Sequence, residues 1–343
     1  MITDQFGRPM RDLRISVTDR CNFRCHYCMP AEIFGEAYEF LPKDEILTFE
    51  EIARLAGCFA DLGVNKLRIT GGEPLLRVDL PLLISMLSEI DGIEDLTLTS
   101  NGYLLPQQAQ QLKDAGLKRI TVSLDALDDE TFKKMNGRGF GTHRVLLGIQ
   151  RAEEAGLSPI KINAVVQKGV NDHAVVDLAR HFKGTGNIVR FIEYMDVGNR
   201  NGWKLDEVVP AAEIIRRINE EMPIEPLEGS YRGEVVTRYR YKDGEGEVGV
   251  ISSVSAPFCG DCTRSRISTD GSIYTCLFAA NGVSLRDPLR AGATDDELKE
   301  LISQIWGARR DRYSEERTEL SQQPKSSSQG TAPKKVEMYQ IGG

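Results

Sequence analysis

From Asp12 to Ile192 the apolar residues alternate between two patterns. Short runs rich in Leu, Ile and Val are followed by longer stretches in which apolar residues recur every three or four positions, and several of these stretches end at a glycine. The first pattern is typical of buried strands, and the second is typical of amphipathic helices with a glycine C-cap. This part of the chain is therefore predicted to repeat one strand–helix unit.

Six such units are predicted. The strands are expected at 12–18, 66–70, 95–99, 119–124, 160–166 and 188–192, and the helices between them at 48–62, 79–90, 106–115, 142–155 and 172–182. Thr48 and Glu51 have the spacing of a capping box at the start of the first helix. Strict alternation predicts a parallel sheet with right-handed crossovers. Six units are fewer than the eight of a closed TIM barrel, so the expected fold is α/β, an open (partial) (β/α)6 TIM-like barrel.

The alternation stops after residue 222. Pro223 and Pro226 end a helix that begins at Ala211, and short strands are predicted at 234–241 and 247–251. Residues 314–335 are rich in Ser, Gln, Pro and Lys and too poor in apolar residues to pack, which predicts a flexible linker. The expected organisation is a barrel at 1–222, a C-terminal domain at 223–310, and a linker with a Gly-Gly tail at 311–343.

Length and charge narrow the class of protein. A chain of 343 residues with 41% hydrophobic residues can form one large domain with an appendage, or two domains. The 43 Lys and Arg residues against 51 Asp and Glu residues give a net charge of −8, which argues against a nucleic-acid binder. No run approaches the ~18 apolar residues of a membrane span, and the first twelve residues lack the apolar core of a signal peptide. Seven cysteines without an export signal fit a reducing cytoplasm.

Three cysteines lie within eight residues directly after the first predicted strand. Cys21, Cys25 and Cys28 have C-x3-C-x2-C spacing, and thiolates so close together suit an iron–sulfur cluster. A cubane [4Fe–4S] cluster has four irons, so three cysteines leave one iron open, as catalytic metal sites do. One alternative is a structural zinc site, for which His26 is the only fourth ligand within the loop. A disulfide is the other alternative, and it leaves one cysteine over.

A second group of three cysteines lies near the C-terminus. Cys259 and Cys262 have C-x2-C spacing, and Cys276 follows fourteen residues later. A zinc ribbon would need a fourth thiol, and Cys58 is the only other cysteine in the chain. The spacing therefore favours a second cluster with an open iron, held by a C-terminal cluster-binding extension of the barrel.

Distinctive residues follow the predicted strands at the ends where parallel sheets bind ligands. Besides the first cysteine loop they are 71–74 (Gly-Gly-Glu-Pro), 99–102, 123–125 and 194–195. In addition, Arg68, Lys161 and Arg190 each interrupt a hydrophobic strand. Buried cations need a partner, and the alternatives for each one are a salt bridge to a neighbouring acid or a side chain that reaches solvent. Taken with Arg14, Arg264 and Arg266, they suggest a shared anion inside the barrel, and a triphosphate fits.

The first cysteine loop, with Tyr27 before its last cysteine, and the Gly-Gly-Glu-Pro turn resemble the motifs of the radical S-adenosylmethionine (SAM) superfamily. The resemblance implies that the open iron binds SAM, whose one-electron cleavage gives methionine and a 5′-deoxyadenosyl radical. It also implies a SAM site near Tyr27, the backbone of Gly72, the hydroxyl of Ser123 and the region of Met195.

Two three-cysteine groups, with Arg264-Ser265-Arg266 after the second C-x2-C and a terminal Gly342-Gly343, resemble the GTP 3′,8-cyclase family. That family catalyses the first step of molybdenum cofactor biosynthesis, the conversion of GTP to (8S)-3′,8-cyclo-7,8-dihydroguanosine 5′-triphosphate. The resemblance implies that guanine binds the second cluster and that the two glycines of the tail enter the active site. The implied GTP contacts are Arg14, Arg68, Thr99, Lys161, Arg190, Arg264, Ser265 and Arg266.

The same resemblance implies an electron donor of the flavodoxin or ferredoxin type and a downstream cyclic pyranopterin monophosphate synthase. The sequence leaves the oligomeric state open, and a homodimer is one alternative. Two other functions remain open at this point: another two-cluster radical SAM enzyme, such as one that matures peptides, and a non-catalytic iron–sulfur sensor or zinc scaffold.

Overall fold

A computed structural model describes residues 1–229, 231, 233–322 and 334–342. Its strands are β1 (Asp12–Ser16), β2 (Lys66–Thr70), β3 (Asp95–Ser100), β4 (Arg119–Ser123), β5 (Lys161–Val166), β6 (Ile188–Glu193), β7 (Ile224–Leu227), β8 (Thr237–Tyr241), β9 (Glu247–Ile251), β10 (Arg264–Ile267), β11 (Ser272–Tyr274) and β12 (Val283–Ser284). Its α-helices are α1 (Phe49–Asp61), α2 (Leu80–Ser88), α3 (Leu105–Asp114), α4 (Asp129–Asn136), α5 (His143–Glu154), α6 (Val175–Phe182), α7 (Ala211–Glu221), α8 (Arg286–Arg290), α9 (Asp295–Gly307), α10 (Tyr313–Gln322) and α11 (Met338–Ile341).

All the strands form one sheet in the order β12-β11-β10-β1-β2-β3-β4-β5-β6-β9-β8-β7. The six strands β1 to β6 are parallel and neighbour one another in chain order, which confirms the predicted open barrel. The segment after residue 222 adds a further parallel strand at each edge: β10 pairs with β1, and β9 pairs with β6. Antiparallel strands lie outside these, so within the described residues the sheet does not close on itself.

Side chains alternate across this sheet as the pleat requires. On β1, Leu13 and Ile15 are buried in the hydrophobic core, whereas Arg14 lines the cavity inside the barrel. The hydrophobic core lies between the sheet and the helices. It is built from the apolar side chains that point out of the barrel on the central strands, as Leu13 and Ile15 do, and from the apolar faces of the helices. The capping box predicted at the start of α1 is also present, since the side chain of Thr48 accepts a hydrogen bond from the backbone N–H of Glu51.

Five of the described helices depart from the sequence expectations. Helices α4, α8, α9 and α11 were not predicted, although Thr294 and Glu297 form a capping box at the start of α9. Residues expected to begin a flexible linker instead form α10, because Tyr313 stacks on Phe278 with ring centroids 4.5 Å apart. The remainder of the predicted linker at 323–333, like Gly343, lies outside the described residues.

No helix in the described part of the chain combines the length and the apolar character needed to cross a membrane.

Candidate active site

A large cavity opens inside the barrel and brings together residues from both ends of the chain. The sulfur-bearing residues Cys21, Cys25, Cys28, Cys259, Cys262 and Cys276 all line it. It is also lined by Tyr27, Gly72, Ser123 and Met195, the residues expected to meet SAM, and by Arg14, Arg68, Thr99, Lys161, Arg190, Arg264 and Arg266, expected to meet GTP. Cys58 is not among the lining residues.

Ser265 is the exception among the predicted GTP contacts. Its side chain is buried, and its hydroxyl donates a hydrogen bond of 3.2 Å to the carbonyl of Asp12. Because Arg264 and Arg266 point into the cavity, the residue between them must point to the other face of the sheet. A contact of Ser265 with GTP stays a prediction, and the Ser265 side chain is not among those that line the cavity.

The Gly-Gly-Glu-Pro turn packs directly against the start of the first cysteine loop. The N–H of Gly72 donates to the carbonyl of Thr18 at 2.7 Å, and the N–H of Glu73 donates to the carbonyl of Arg20 at 2.8 Å. A Cβ atom on Gly72 would collide with the carbonyl of Arg20. Glycine is thus required for two backbone segments to approach each other, in addition to leaving space for a ligand.

Glu73 fixes the far side of this turn, a role that sequence reasoning missed. Its buried carboxylate accepts hydrogen bonds from the hydroxyl of Ser100 at 2.8 Å, the N–H of Asn101 at 2.7 Å and the N–H of Leu75 at 3.0 Å. Burial raises the pKa of Glu73 to about 7, although these hydrogen bonds oppose the shift. The carboxylate therefore ties the end of β3 to the turn beside the cysteines.

Burial disfavours the thiolate form of the three cysteines in the first loop. Burial raises the pKa of Cys21 to about 12, and it raises the pKa values of Cys25 and Cys28 as well. The hydroxyl of Tyr27 donates a hydrogen bond of 2.9 Å to Asp125, whose pKa burial raises to about 6. Thiols of this kind lose their protons when a metal binds the sulfur, so the loop suits cluster ligands rather than a free nucleophile.

The second triad has a more positive environment. Burial alone would raise the pKa of Cys262, but Arg264 and Arg309 outweigh burial and lower this pKa to about 6. The Nε and Nη2 atoms of Arg264 lie 3.3 and 3.2 Å from the Cys262 sulfur. For Cys276, burial raises the pKa to about 11.

The donor set fits clusters better than a single metal ion. All seven cysteines are free, so no disulfide competes for them. Among the described residues, no three His, Cys, Asp or Glu side chains converge on one point as the ligands of a mononuclear zinc ion would. His26, the fourth ligand that such a site would need in the first loop, instead shares a hydrogen bond between its Nε2 and Gln167. Two sets of three free thiols match [4Fe–4S] clusters that each keep one open iron.

The cations between the two triads form one continuous surface. Arg14 is the register partner of Arg68 on β2 and of Arg266 on β10. Arg68 donates to the hydroxyl of Thr99 at 3.1 Å, and Arg190 donates to the side-chain carbonyl of Asn163 at 2.9 Å. Within the described part of the chain, no salt bridge neutralises Arg14, Arg68, Lys161, Arg190, Arg264 or Arg266.

Burial and neighbouring cations disfavour the charged forms of Arg14, Lys161 and Arg190. Burial first, and Arg190 second, lower the pKa of Lys161 to about 7. Burial likewise lowers the pKa of Arg190 to about 9, with Arg68 as the next cause, and it lowers the pKa of Arg14. Cations that no described acidic side chain pairs with, on strands that line one cavity, suit an anionic ligand.

The C-terminal tail reaches this surface. Arg266 donates hydrogen bonds from Nη1 to the carbonyls of Ile341, at 3.3 Å, and of Gly342. The hydroxyls of Tyr339 and Tyr38 are 2.7 Å apart, which ties the tail to the segment after the first cysteine loop. Gly342 therefore lies beside the cations, and Gly343, the other predicted tail residue, is outside the described residues.

Two family models together match most of the chain. Residues 15–182 match the radical SAM superfamily, and residues 187–315 match the family described as Molybdenum Cofactor Synthesis C. The first match contains the N-terminal cysteine loop, and the second contains the C-terminal triad.

Solved structures with a similar fold are more distant in sequence. Streptococcus suis SuiB bound to its precursor peptide SuiA has a TM-score of 0.57 and 20% identity, over 87% of this chain and 64% of that one. The anSMEcpe structure with bound AdoMet and the Cp18Cys peptide has a TM-score of 0.53 and 14% identity, over 96% of this chain and 94% of that one. These likenesses concern the fold alone.

Curated relatives match the whole chain. The GTP 3′,8-cyclases of Acidothermus cellulolyticus and Staphylococcus haemolyticus are both 52% identical to it, and that of Staphylococcus aureus is 51% identical. Each alignment covers 100% of this chain and 99% of the relative. The chain belongs to the GTP 3′,8-cyclase family of the radical SAM superfamily.

Proposed function

We propose that this enzyme converts GTP to (8S)-3′,8-cyclo-7,8-dihydroguanosine 5′-triphosphate in the cavity inside its barrel. The reaction removes a hydrogen atom from ribose C3′ and joins that carbon to C8 of guanine. The proposal rests above all on one observation: both cysteine triads and the unneutralised strand cations line the same cavity. A sensor or a zinc scaffold has no use for such a cation surface between two metal sites.

The N-terminal side of the cavity holds the first cluster and SAM. Cys21, Cys25 and Cys28 bind the cluster, which with SAM supplies a 5′-deoxyadenosyl radical able to remove an unactivated hydrogen atom. The backbone of Gly72 receives the methionine end of SAM, where the absence of a side chain permits close approach. We expect Ser123 to offer a hydroxyl to SAM and Tyr27 and Met195 to lie near it, since all three line the cavity.

The C-terminal side holds the second cluster and the base. Cys259, Cys262 and Cys276 bind that cluster, whose open iron leaves a position for guanine. Arg264 lies against the Cys262 sulfur and so adds positive charge where the base and the cluster meet. In this arrangement GTP lies between SAM at the first cluster and the second cluster, which holds its guanine.

The triphosphate occupies the cation surface between the two clusters. Arg14, Arg68, Lys161, Arg190 and Arg266 supply charge-assisted hydrogen bonds, and Thr99 orients Arg68. The C-terminal Gly342 reaches the same surface through Arg266, and we infer that the tail enters the active site, as expected of its two glycines.

Several finer assignments belong to the same proposal. We expect a one-electron donor of the flavodoxin or ferredoxin type and a cyclic pyranopterin monophosphate synthase that takes the product. Free cysteines that must stay reduced to bind clusters fit a cytoplasmic location. The barrel at 1–222, the cluster-binding domain at 223–310 and the tail that follows are the proposed division of the chain, although a single sheet runs through the first two.

The test is anaerobic reconstitution followed by two assays on one reaction. Iron analysis is expected to give about eight irons per chain. Reaction with SAM, GTP and a strong reductant is expected to yield 5′-deoxyadenosine and cyclised GTP, and both are expected to vanish when Cys21, Cys25 or Cys28 is changed to Ala. Stoichiometric zinc without iron, or 5′-deoxyadenosine production in any of these variants, would overturn the proposal.

A further inference from the structure

A buried group of charges lies behind the second cysteine triad and joins it to the N-terminal segment. It consists of Asp4, Arg8 and Arg309, whose side chains are 0%, 0% and 2% exposed. Oδ2 of Asp4 lies 2.5 Å from Nε of Arg8 and 3.4 Å from Nη1 of Arg309. Burying three charges is costly unless each is paired and hydrogen-bonded, and a fold alone is usually served as well by apolar residues.

Each of the two arginines also donates one hydrogen bond to the cysteine loop. Nη1 of Arg8 donates to the carbonyl of Cys259 at 2.8 Å, and Nη1 of Arg309 donates to the carbonyl of Cys262 at 2.8 Å. The carbonyl of Asp311 accepts a second hydrogen bond from Arg8, at 2.9 Å. Two of the three residues of the second triad thus have their backbone carbonyls held by arginines that share one carboxylate.

Asp4 is itself held rigidly. Its Oδ1 accepts hydrogen bonds from the N–H groups of Phe6, at 2.9 Å, and of Arg8, at 3.0 Å. The carbonyl of Arg8 accepts from Trp306 Nε1 at 3.1 Å, and the Arg309 guanidinium lies over the Trp306 ring at 4.5 Å. One carboxylate oxygen therefore fixes the N-terminal turn, while the other contacts both arginines. Arg309 has a second acidic partner, since its Nε lies 3.5 Å from Oδ2 of Asp311.

We propose that Asp4 is a positioning residue for the second cluster: it orients Arg8 and Arg309, whose hydrogen bonds to the carbonyls of Cys259 and Cys262 set the shape of the cysteine loop. This inference rests on the proposed function, which assigns that loop to a cluster. Outer partners of this kind orient ligands and tune a metal centre without touching the metal. The N-terminal segment thereby becomes part of the site that holds guanine.

The variant Asp4→Asn distinguishes the hydrogen bonds that Oδ1 accepts from the backbone from the contacts that Oδ2 makes with the arginines. An amide keeps one oxygen for the N–H groups of Phe6 and Arg8, but its NH2 group cannot accept from the arginines. The matched control is Gln5→Ala. The side chain of Gln5 anchors the same segment by donating from Nε2 to the carbonyl of Gly307, and the substitution keeps the backbone hydrogen bond from Gln5 to the carbonyl of Arg309.

To study the second cluster alone, the experiment uses the full chain with Cys21→Ala, Cys25→Ala and Cys28→Ala, which removes the ligands of the first cluster. In that background we expect Asp4→Asn to change the electron paramagnetic resonance spectrum of the reduced cluster and its response to GTP, whereas Gln5→Ala leaves both unchanged. In the otherwise unaltered enzyme, Asp4→Asn is expected to lower cyclised product at least tenfold while 5′-deoxyadenosine formation persists. Should Asp4→Asn not fold, Arg309→Lys, which keeps the charge but loses the planar fork, takes its place with the same expectations.

Unchanged spectra and unchanged cyclisation in Asp4→Asn would overturn the inference, and so would equal effects of Asp4→Asn and Gln5→Ala. Absence of any second-cluster signal in the chain with only the first triad changed would instead overturn the proposed function. The two failures are therefore distinguishable.

Discussion

Arg14 on β1 and Arg266 on β10 are register partners on adjacent parallel strands, so two arginines from opposite ends of the sequence point side by side into one cavity. Burial and neighbouring arginines lower the pKa of both, that of Arg266 to about 10. The Nε atom of Arg14 is buried and has no hydrogen-bond partner within the described residues. The free protein therefore holds an electrostatic strain that a bound polyanion relieves.

Replacing Arg14 by Met is expected to stabilise the free protein and to weaken substrate binding. Removal of an unpaired buried charge should raise the free energy of unfolding by about 1 kcal/mol, and GTP affinity should fall about ten- to a hundredfold. Chemical denaturation and calorimetry measure the two quantities. Arg54→Met, at an exposed salt bridge with Asp295, is the control and should change neither by much. A destabilised Arg14→Met protein with normal GTP affinity would contradict this account.

Lys161 should make GTP binding dependent on pH. Its pKa of about 7 in the free protein means that it is charged below that pH and largely neutral above it. A bound triphosphate favours the charged form, so binding above pH 7 must take up a proton, and affinity should weaken as pH rises from 7 to 9. Calorimetry in buffers of different ionisation enthalpy measures this uptake. In the Lys161→Arg variant the side chain stays charged, so GTP affinity should change less with pH and binding should take up fewer protons. Equal proton uptake by the variant and the unaltered protein would show that another group is responsible.

Cys276→Ala should separate radical formation from cyclisation. The residues proposed for SAM lie on the N-terminal strands and their loops, whereas Cys276 belongs to the C-terminal segment. A base displaced by about 1 Å can cost around a hundredfold in rate, so cyclised product should be lost while 5′-deoxyadenosine still forms. Both are measured in one anaerobic reaction. Cys58→Ala, which removes a buried thiol outside the cavity, should retain both products, and near-normal cyclisation by Cys276→Ala would exclude the assigned role.

Glu73→Gln should impair SAM binding without removing any group that contacts SAM. An amide cannot accept all three hydrogen bonds that now tie the turn to Leu75, Ser100 and Asn101. We expect SAM affinity to fall about tenfold, and Ser100→Ala, which removes one of the three bonds, to have a smaller effect. Equilibrium binding to the cluster-loaded protein measures this. A normal affinity in Glu73→Gln would mean that the turn holds its shape without the carboxylate.

Local patterns were enough to predict the barrel and much of the cavity. A strand alternates its side chains with a period of two, so Arg14, Arg68 and Arg190 had to share a face if their neighbours were buried. The same rule, applied to Ser265 between two inward arginines, would have excluded its side chain from the cavity. The cysteine spacings needed no long-range information either.

Other features left no local signal. A strand was predicted at 247–251, where β9 lies, but no local pattern indicates that β9 pairs with β6 or that β10 pairs with β1, because these partners lie far away in the sequence. Asp4 and Glu73 look like ordinary polar residues until the fold buries them among donors. Helix α10 is held by contacts of Arg317 with Asp196, at 2.7 Å, that its own composition does not indicate.

The pairing of β1 with β10 can form only late in the synthesis of the chain. About 250 residues separate these strands, so on the ribosome β1 remains an unpaired sheet edge until nearly the whole chain has been made. Such an edge is a template for misassociation with other nascent chains. Since the loop that leaves β1 carries the first three cysteines, cells that make this protein must keep that edge and those thiols protected until the last parallel strand arrives.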